Sequence, residues 1–224
     1  IMTGGTVSLV AGTAIVDADA AGDSTVNIEA ASLRLQAGTA IGSATNALET
    51  KVALLSASAG NGGLFVLEAD GLTVGDVAAS INRVGADGTT TVVADAAQSD
   101  LRTLGGNGAV VLQSTTGDLV LGDGTANGAG ASVSAHGSGN VLVQALTGNV
   151  TVQADVLGTS GAISLRAGGA IGFDAGADLR TGGAGTVDVD AAGALAMNAG
   201  SLLTSGTGTV RVNAGTTATI GRIT

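Results

Sequence analysis

Apolar and polar residues alternate along most of this chain in short runs, the period of a strand with one buried face. Four runs make the pattern plain: NVLVQA at 140–145, AISLRA at 162–167, TVDVDA at 186–191 and TVRVNA at 209–214. Each follows a glycine: Gly139, Gly161, Gly185 and Gly208. Their first apolar positions, Val141, Ile163, Val187 and Val210, are 22, 24 and 23 residues apart. A second strand follows each, carrying Val150 and Val152, Ile171 and Phe173, Leu195 and Met197, and Ala218 and Ile220. A third short piece supplies Val133, Val156, Leu179 and Leu202, spaced by 23 each time. The tetrapeptide DLRT occurs twice, at Asp100–Thr103 and Asp178–Thr181, and both copies run into a Gly-rich turn.

A unit of about 23 residues with three short strands cannot bury its apolar faces alone. Stacking unit on unit closes a tube and pairs each strand with the coils above and below. The spacing therefore predicts an all-β parallel β-helix (β-solenoid) of roughly ten coils, a single segment spanning residues 1–224. Coils are regular over 108–224 and looser over 1–107, where candidate strands are 6–11, 25–30, 33–37, 51–56, 64–68, 90–94 and 109–113. Three unequal strands with variable corners favour the right-handed form. Helical solenoids need apolar spacings of three and four, which are missing. Left-handed hexapeptide helices need a shorter, stricter repeat.

The register follows. Val141, Ile163, Val187 and Val210 form one interior column; Val152, Phe173, Met197 and Ile220 form another. Outward neighbours then align, placing Arg166 beside Asp190 and Asp188 beside Arg211. Two stretches break the rhythm: 76–88, and the excess between Asp100 and Ser132, assigned to an outward loop at Gly122–Gly130.

Composition sharpens this picture. Gly makes up 39 of 224 residues and Pro none. Glycine suits tight corners with φ > 0, whereas proline would remove a ladder donor from every coil it entered. Only Phe65 and Phe173 are aromatic, so the core is narrow and aliphatic. A net charge of −10 with a single lysine repels phosphate backbones and anionic lipid, which argues against nucleic acid as a partner. No apolar run approaches the ~18 residues of a membrane span, so membrane insertion is not expected. Without cysteine there are no disulfides or thiolate metal sites. The opening residues 1–5 lack the look of a natural start, so the chain reads as a piece of something longer.

Candidate chemistry is sparse. Ser132, Ser134 and His136 alternate on one strand, but a nucleophile–base pair also needs an orienting acid, and a lone imidazole is a weak metal site. Asp17 with Asp19, and Asp188 with Asp190, share faces; they suit a solvated strand face better than glycoside chemistry or Ca²⁺. Gly122–Gly130 lacks the Lys-Ser/Thr of a phosphate loop. No catalytic, cofactor-binding or metal residue is assigned, no cofactor is expected, and the chain is expected not to be an enzyme.

The runs GTVDVDAAGALAMNAG at 185–200, LETKVALL at 48–55 and GLFVLEADGLTV at 63–74 resemble the repeats of filamentous-haemagglutinin-like adhesins, and the resemblance covers most of the chain. It implies a Gram-negative surface protein exported by two-partner secretion, a β-helical shaft, and adhesion. The absence of cysteine accords with threading through an export pore. The family's secretion domain carries Asn-Pro motifs, and this chain has no proline, so it reads as shaft. The expected role is a structural shaft segment of a secreted, cell-surface adhesin. Its partners would be neighbouring repeats, or further copies end to end, with a host receptor or glycan held by irregular loops. Alternatives are a subunit of an extracellular fibre or sheath, and a carbohydrate-binding or carbohydrate-active β-helix module.

Overall fold

The computed structural model describes residues 1–224 and is an all-β parallel β-helix. Coil 1 is β1 (Thr6–Ala11) and β2 (Ala14–Ile15), and coil 2 is β3 (Ile28–Ala37) and β4 (Ala40–Ile41). Coil 3 is the end of β5 (Leu48–Ala59) with β6 (Gly63–Glu68) and β7 (Leu72–Val74), the first part of β5 lying in coil 2. A hairpin of β8 (Val77–Val84) and β9 (Thr90–Gln98) interrupts the winding. Coil 4 is β10 (Leu101–Thr103), β11 (Val110–Ser114) and β12 (Leu119–Leu121), and coil 5 is β13 (Ala131–Ala135), β14 (Val141–Ala145) and β15 (Val150–Val152). Coil 6 is β16 (Asp155–Gly158), β17 (Ile163–Ala167) and β18 (Ile171–Phe173); coil 7 is β19 (Leu179–Thr181), β20 (Val187–Ala191) and β21 (Leu195–Met197). Coil 8 is β22 (Leu202–Thr204), β23 (Val210–Ala214) and β24 (Ala218–Thr219), and β25 (Arg222–Ile223) starts a ninth. This is fewer than the roughly ten coils expected, because the hairpin and the 122–130 loop take residues out of the winding. At ~4.8 Å per coil, eight coils make a rod of about 38 Å.

Alternation decides which residues face in. Val141, Ile163, Val187 and Val210 stand in register, as the spacing predicts. So do Val152, Phe173 and Met197, and Phe173 is only 1% exposed. Ile220 departs from this column's burial: it lies past β24 on the terminal coil and is exposed. The third column also needs a correction. It runs Leu101, Val133, Val156, Leu179 and then Leu203, not Leu202. Coil 7 is one residue longer than the 23-residue rule allows, and adjacent leucines hid the slip. The interior is one cluster of 41 buried apolar residues, with no break along the rod.

The glycines that precede the strands have a cause other than the one expected. Gly139, Gly161, Gly185 and Gly208 do not adopt positive φ. They continue a column from Gly12 through Gly38, Gly60 and Gly108, in which a Cβ would collide with the carbonyl oxygen of the glycine one coil before. Close backbone approach, not chain reversal, selects glycine at this corner.

The looser half owes its irregularity to long strands. β3 and β5 run 10 and 12 residues, straight through a position where later coils turn a corner. On one side β5 changes partner from β6 to β7 along its length. Glu68, which points inward from β6 and is fully buried, covers that change. Its carboxylate accepts hydrogen bonds from the Thr50 hydroxyl (2.7 Å) and the Val52 N–H (3.1 Å). Burial raises its pKa from 4.5 to about 7, against the pull of these donors.

Candidate functional site

Both irregular insertions leave the rod at one corner, one coil apart. The hairpin joins β7 to β10, and the 122–130 loop joins β12 to β13. The expected loop at Gly122–Gly130 is present, and 76–88 does break the coil pattern. The segment 90–94 is not a coil strand, however. It belongs to β9, which pairs antiparallel with β8 outside the solenoid. Its alternation is that of any two-faced strand, so periodicity could not separate the two cases.

The hairpin folds back over the outer faces of β5, β3 and β1. Gln98 Nε2 donates to the Leu35 carbonyl at 2.8 Å and Arg34 Nε to the Ala96 carbonyl at 3.1 Å, fixing its base. Three side chains just outside or at the ends of strands hold the loop. Asp76 accepts from the N–H and hydroxyl of Thr125 (2.9 and 2.8 Å) and the N–H of Ala126 (3.2 Å). Ser99 Oγ accepts from the Asn127 N–H at 3.0 Å. Asp100 accepts from the Gly124 N–H at 2.8 Å and from Asn127 Nδ2 at 2.6 Å. Burial raises the Asp100 pKa despite these donors. Asp76 is pushed up by burial, but its donors outweigh that and leave it lowered.

Between the hairpin base and the loop lies a cleft of about 230 Å³, whose lining includes Arg34, Gln36, Gln98, Ser99, Arg102 and Asn127 and no acidic residue. Arg34 is almost fully buried. Its Nη2 donates to Gln36 Oε1 at 2.8 Å, while its Nη1 has no partner. Arg102 Nε is likewise buried without a partner. Two guanidinium groups thus line one concavity, each with a buried donor left unpaired. Such groups are costly to leave unpaired, and their planar fork matches a carboxylate. Nothing in the sequence pattern points to this pair: Arg34 and Arg102 are 68 positions apart, and only the register of β3, β5 and β10 brings them together.

The other sequence candidates are not assembled. Ser132 Oγ bonds to the Ala154 and Asp155 carbonyls (3.4 and 3.2 Å). His136 sits beyond the end of β13, its Nδ1 2.9 Å from the Gly106 carbonyl oxygen. No serine–histidine contact forms. Asp17 and Asp19 lie in the 16–27 connection, not on a strand. On β20, Asp188 pairs with Arg211 at 2.7 Å, as expected. Arg166 does stand beside Asp190 in register, but makes no ion pair with it. Asp190 instead accepts from Asn213 Nδ2 at 2.7 Å and has Arg211 at 3.9 Å, so the coil on its other side takes it.

No family model, no curated protein and no solved structure matches this chain.

Proposed function

We propose that this chain is a non-enzymatic shaft segment of a larger bacterial surface adhesin, a rod of stacked coils that carries a lateral shoulder for recognition. The supporting observation is the unbroken interior column across coils that differ in length, which makes the fold an extension device indifferent to what its corners hold. The adhesin assignment and the extracellular location rest on the repeats that resemble filamentous-haemagglutinin-like proteins. Antibodies against this chain should label intact, unpermeabilised cells of the organism that makes it, and deletion of the gene should lower surface attachment. Labelling only after permeabilisation would overturn the reading.

The shoulder cleft supports a narrower statement: it receives a single carboxylate, such as that of an acidic sugar unit or a peptide side chain, between Arg34 and Arg102. A long polyanion is disfavoured by the −10 net charge, whereas one carboxylate needs only the two local guanidinium groups.

A further inference from the structure

A different corner gathers unsatisfied oxygens. Asp17 Oδ2, Asp23 Oδ2, Asn46 Oδ1 and Glu49 Oε2 are all buried without a hydrogen-bond partner. They are four of the eight such side-chain atoms in the whole chain, and all four are acceptors. Asp17, Asp19, Asp23 and Glu49 take part in none of the ion pairs.

The remaining oxygens and the amides of these groups brace the corner and fix where the free oxygens point. Asp17 Oδ1 accepts from Asn27 Nδ2 (2.7 Å) and the Asp19 N–H (3.0 Å), and Asp23 Oδ1 accepts from the Thr25 N–H (2.7 Å). Asn27 Oδ1 accepts from the Glu49 N–H at 2.8 Å, linking the 16–27 connection to β5. Asn46 Nδ2 donates to the carbonyls of Asp17 and Asp19, both at 3.4 Å, so its own carbonyl oxygen is the atom left over. Glu49 is only 4% exposed. Its pKa is raised by burial and then by the charges of Asp17, Asp23 and Asp19, so its carboxyl lies within the field of that acidic segment.

Unpartnered buried carboxylate oxygens call for an ion or a proton. Four hard oxygens left over at one corner, with no donor among them, suit a divalent cation once they are drawn together. In sequence, Asp17, Asp19 and Gly22 fall at the first, third and sixth places of a Ca²⁺-loop order, with Gly22 at φ 79° for the sharp turn, whereas Asp23 stands at the seventh, which in that order supplies a backbone carbonyl. Ala21 and Ile28 stand where that order has its other acids, and Glu49 from the neighbouring coil supplies a carboxylate instead. We propose that this corner binds one Ca²⁺ ion through Asp17, Asp23, Glu49 and the Asn46 carbonyl, clamping the 16–27 connection onto the start of β5. No three carboxylates already form a tight metal cage, so binding draws the 17–23 segment inward onto Glu49. Ca²⁺ tolerates such irregular oxygen sets, whereas Mg²⁺ demands a near-octahedral one.

The test is a calcium titration of the chelator-treated chain, followed by calorimetric binding and by thermal melting, with Mg²⁺ and matched NaCl as controls. The expected result is one site with a Kd on the order of 0.1–1 mM and a melting temperature raised by roughly 5 °C or more at saturation. Glu49→Gln removes a buried charge and so should fold at least as well in chelator, yet lose the calcium response; Asp23→Asn should weaken it at least tenfold. Absence of binding up to 10-fold above about 1 mM, an equal response to Mg²⁺, or a full response in Glu49→Gln would overturn the proposal.

Discussion

The two DLRT segments have the same sequence and the same place in the coil, and they end in opposite states. Leu101 and Leu179 occupy one interior column, three coils apart. Thr103 and Thr181 both turn inward, donating to the carbonyls of Gly108 and Gly161. The charged residues differ. In the regular coils Asp178 contacts Arg180, and Asp155 of the preceding coil lies 3.3 Å from the same guanidinium. At the shoulder Asp100 adopts φ 66°, the only non-glycine residue with positive φ, and spends its carboxylate on Gly124 and Asn127. Arg102 is left with a buried, unpartnered Nε. A five-residue difference in the next corner, nine residues at 122–130 against four at 198–201, thus converts an ion pair into a loop clamp and a free cation. The teaching is that the stack sets position, and the insertion sets chemistry.

If the stack sets position, the largest losses should come from its interior. Phe173→Ala should cost ~3–5 kcal/mol in denaturant melts, whereas Val92→Ser on the exposed hairpin should change stability by less than ~0.5 kcal/mol. A comparable cost at both would erase the distinction between stack and shoulder.

Glu68, where the regular ladder is bridged by a side chain, gives a pH signature. Its folded pKa of about 7 lies above its ordinary 4.5. Its protonated form is therefore favoured by folding: the contribution is full below pH 4.5 and is lost as pH rises through 7. From 1.36 kcal/mol per unit this amounts to roughly 3 kcal/mol at most. Glu68→Gln should flatten the stability profile between pH 4.5 and 7; an unchanged slope would remove Glu68 as its source.

Gly161→Ala should cost ~1–3 kcal/mol through overpacking against the Gly139 carbonyl, although φ at Gly161 is open to alanine. A neutral outcome would mean the coils can separate locally. The smallest contrast is within the tetrapeptides. Asp100→Ala should cost ~1–3 kcal/mol because a buried and a half-buried donor lose their acceptor, while Asp178→Ala should cost within ~1 kcal/mol, its partner Arg180 being half exposed. Hydrogen exchange at Gly124 should accelerate only in the first variant.

Much of the stack was legible in the chain itself. Where apolar and polar residues alternate along a whole strand, as in 141–145, 163–167, 187–191 and 210–214, the register could be read to the residue, and Phe173 on the following strand with it. The reading slipped where neighbours are chemically alike, at Leu202 and Leu203. It also slipped where a strand's alternation serves an antiparallel partner, at 90–94. Arg166 shows another limit: adjacency follows from register, but the choice of partner depends on competition, and Asn213 and Arg211 won Asp190. The cleft was not legible at all, since Arg34 and Arg102 become neighbours only after the coils wind, and their lack of partners depends on where Asp100 points.

The central claim is that identical tetrapeptides diverge because the insertion takes Asp100 and frees Arg102 to bind a carboxylate. Galacturonate, with galactose as the neutral control, can be titrated into the ¹⁵N-arginine-labelled chain while the Nε–H resonances of Arg102 and Arg180 are followed. The account predicts a saturable shift at Arg102, none at Arg180, none with galactose, and loss of binding in Arg34→Ala. Equal shifts at both arginines, or no shift at Arg102, would contradict it.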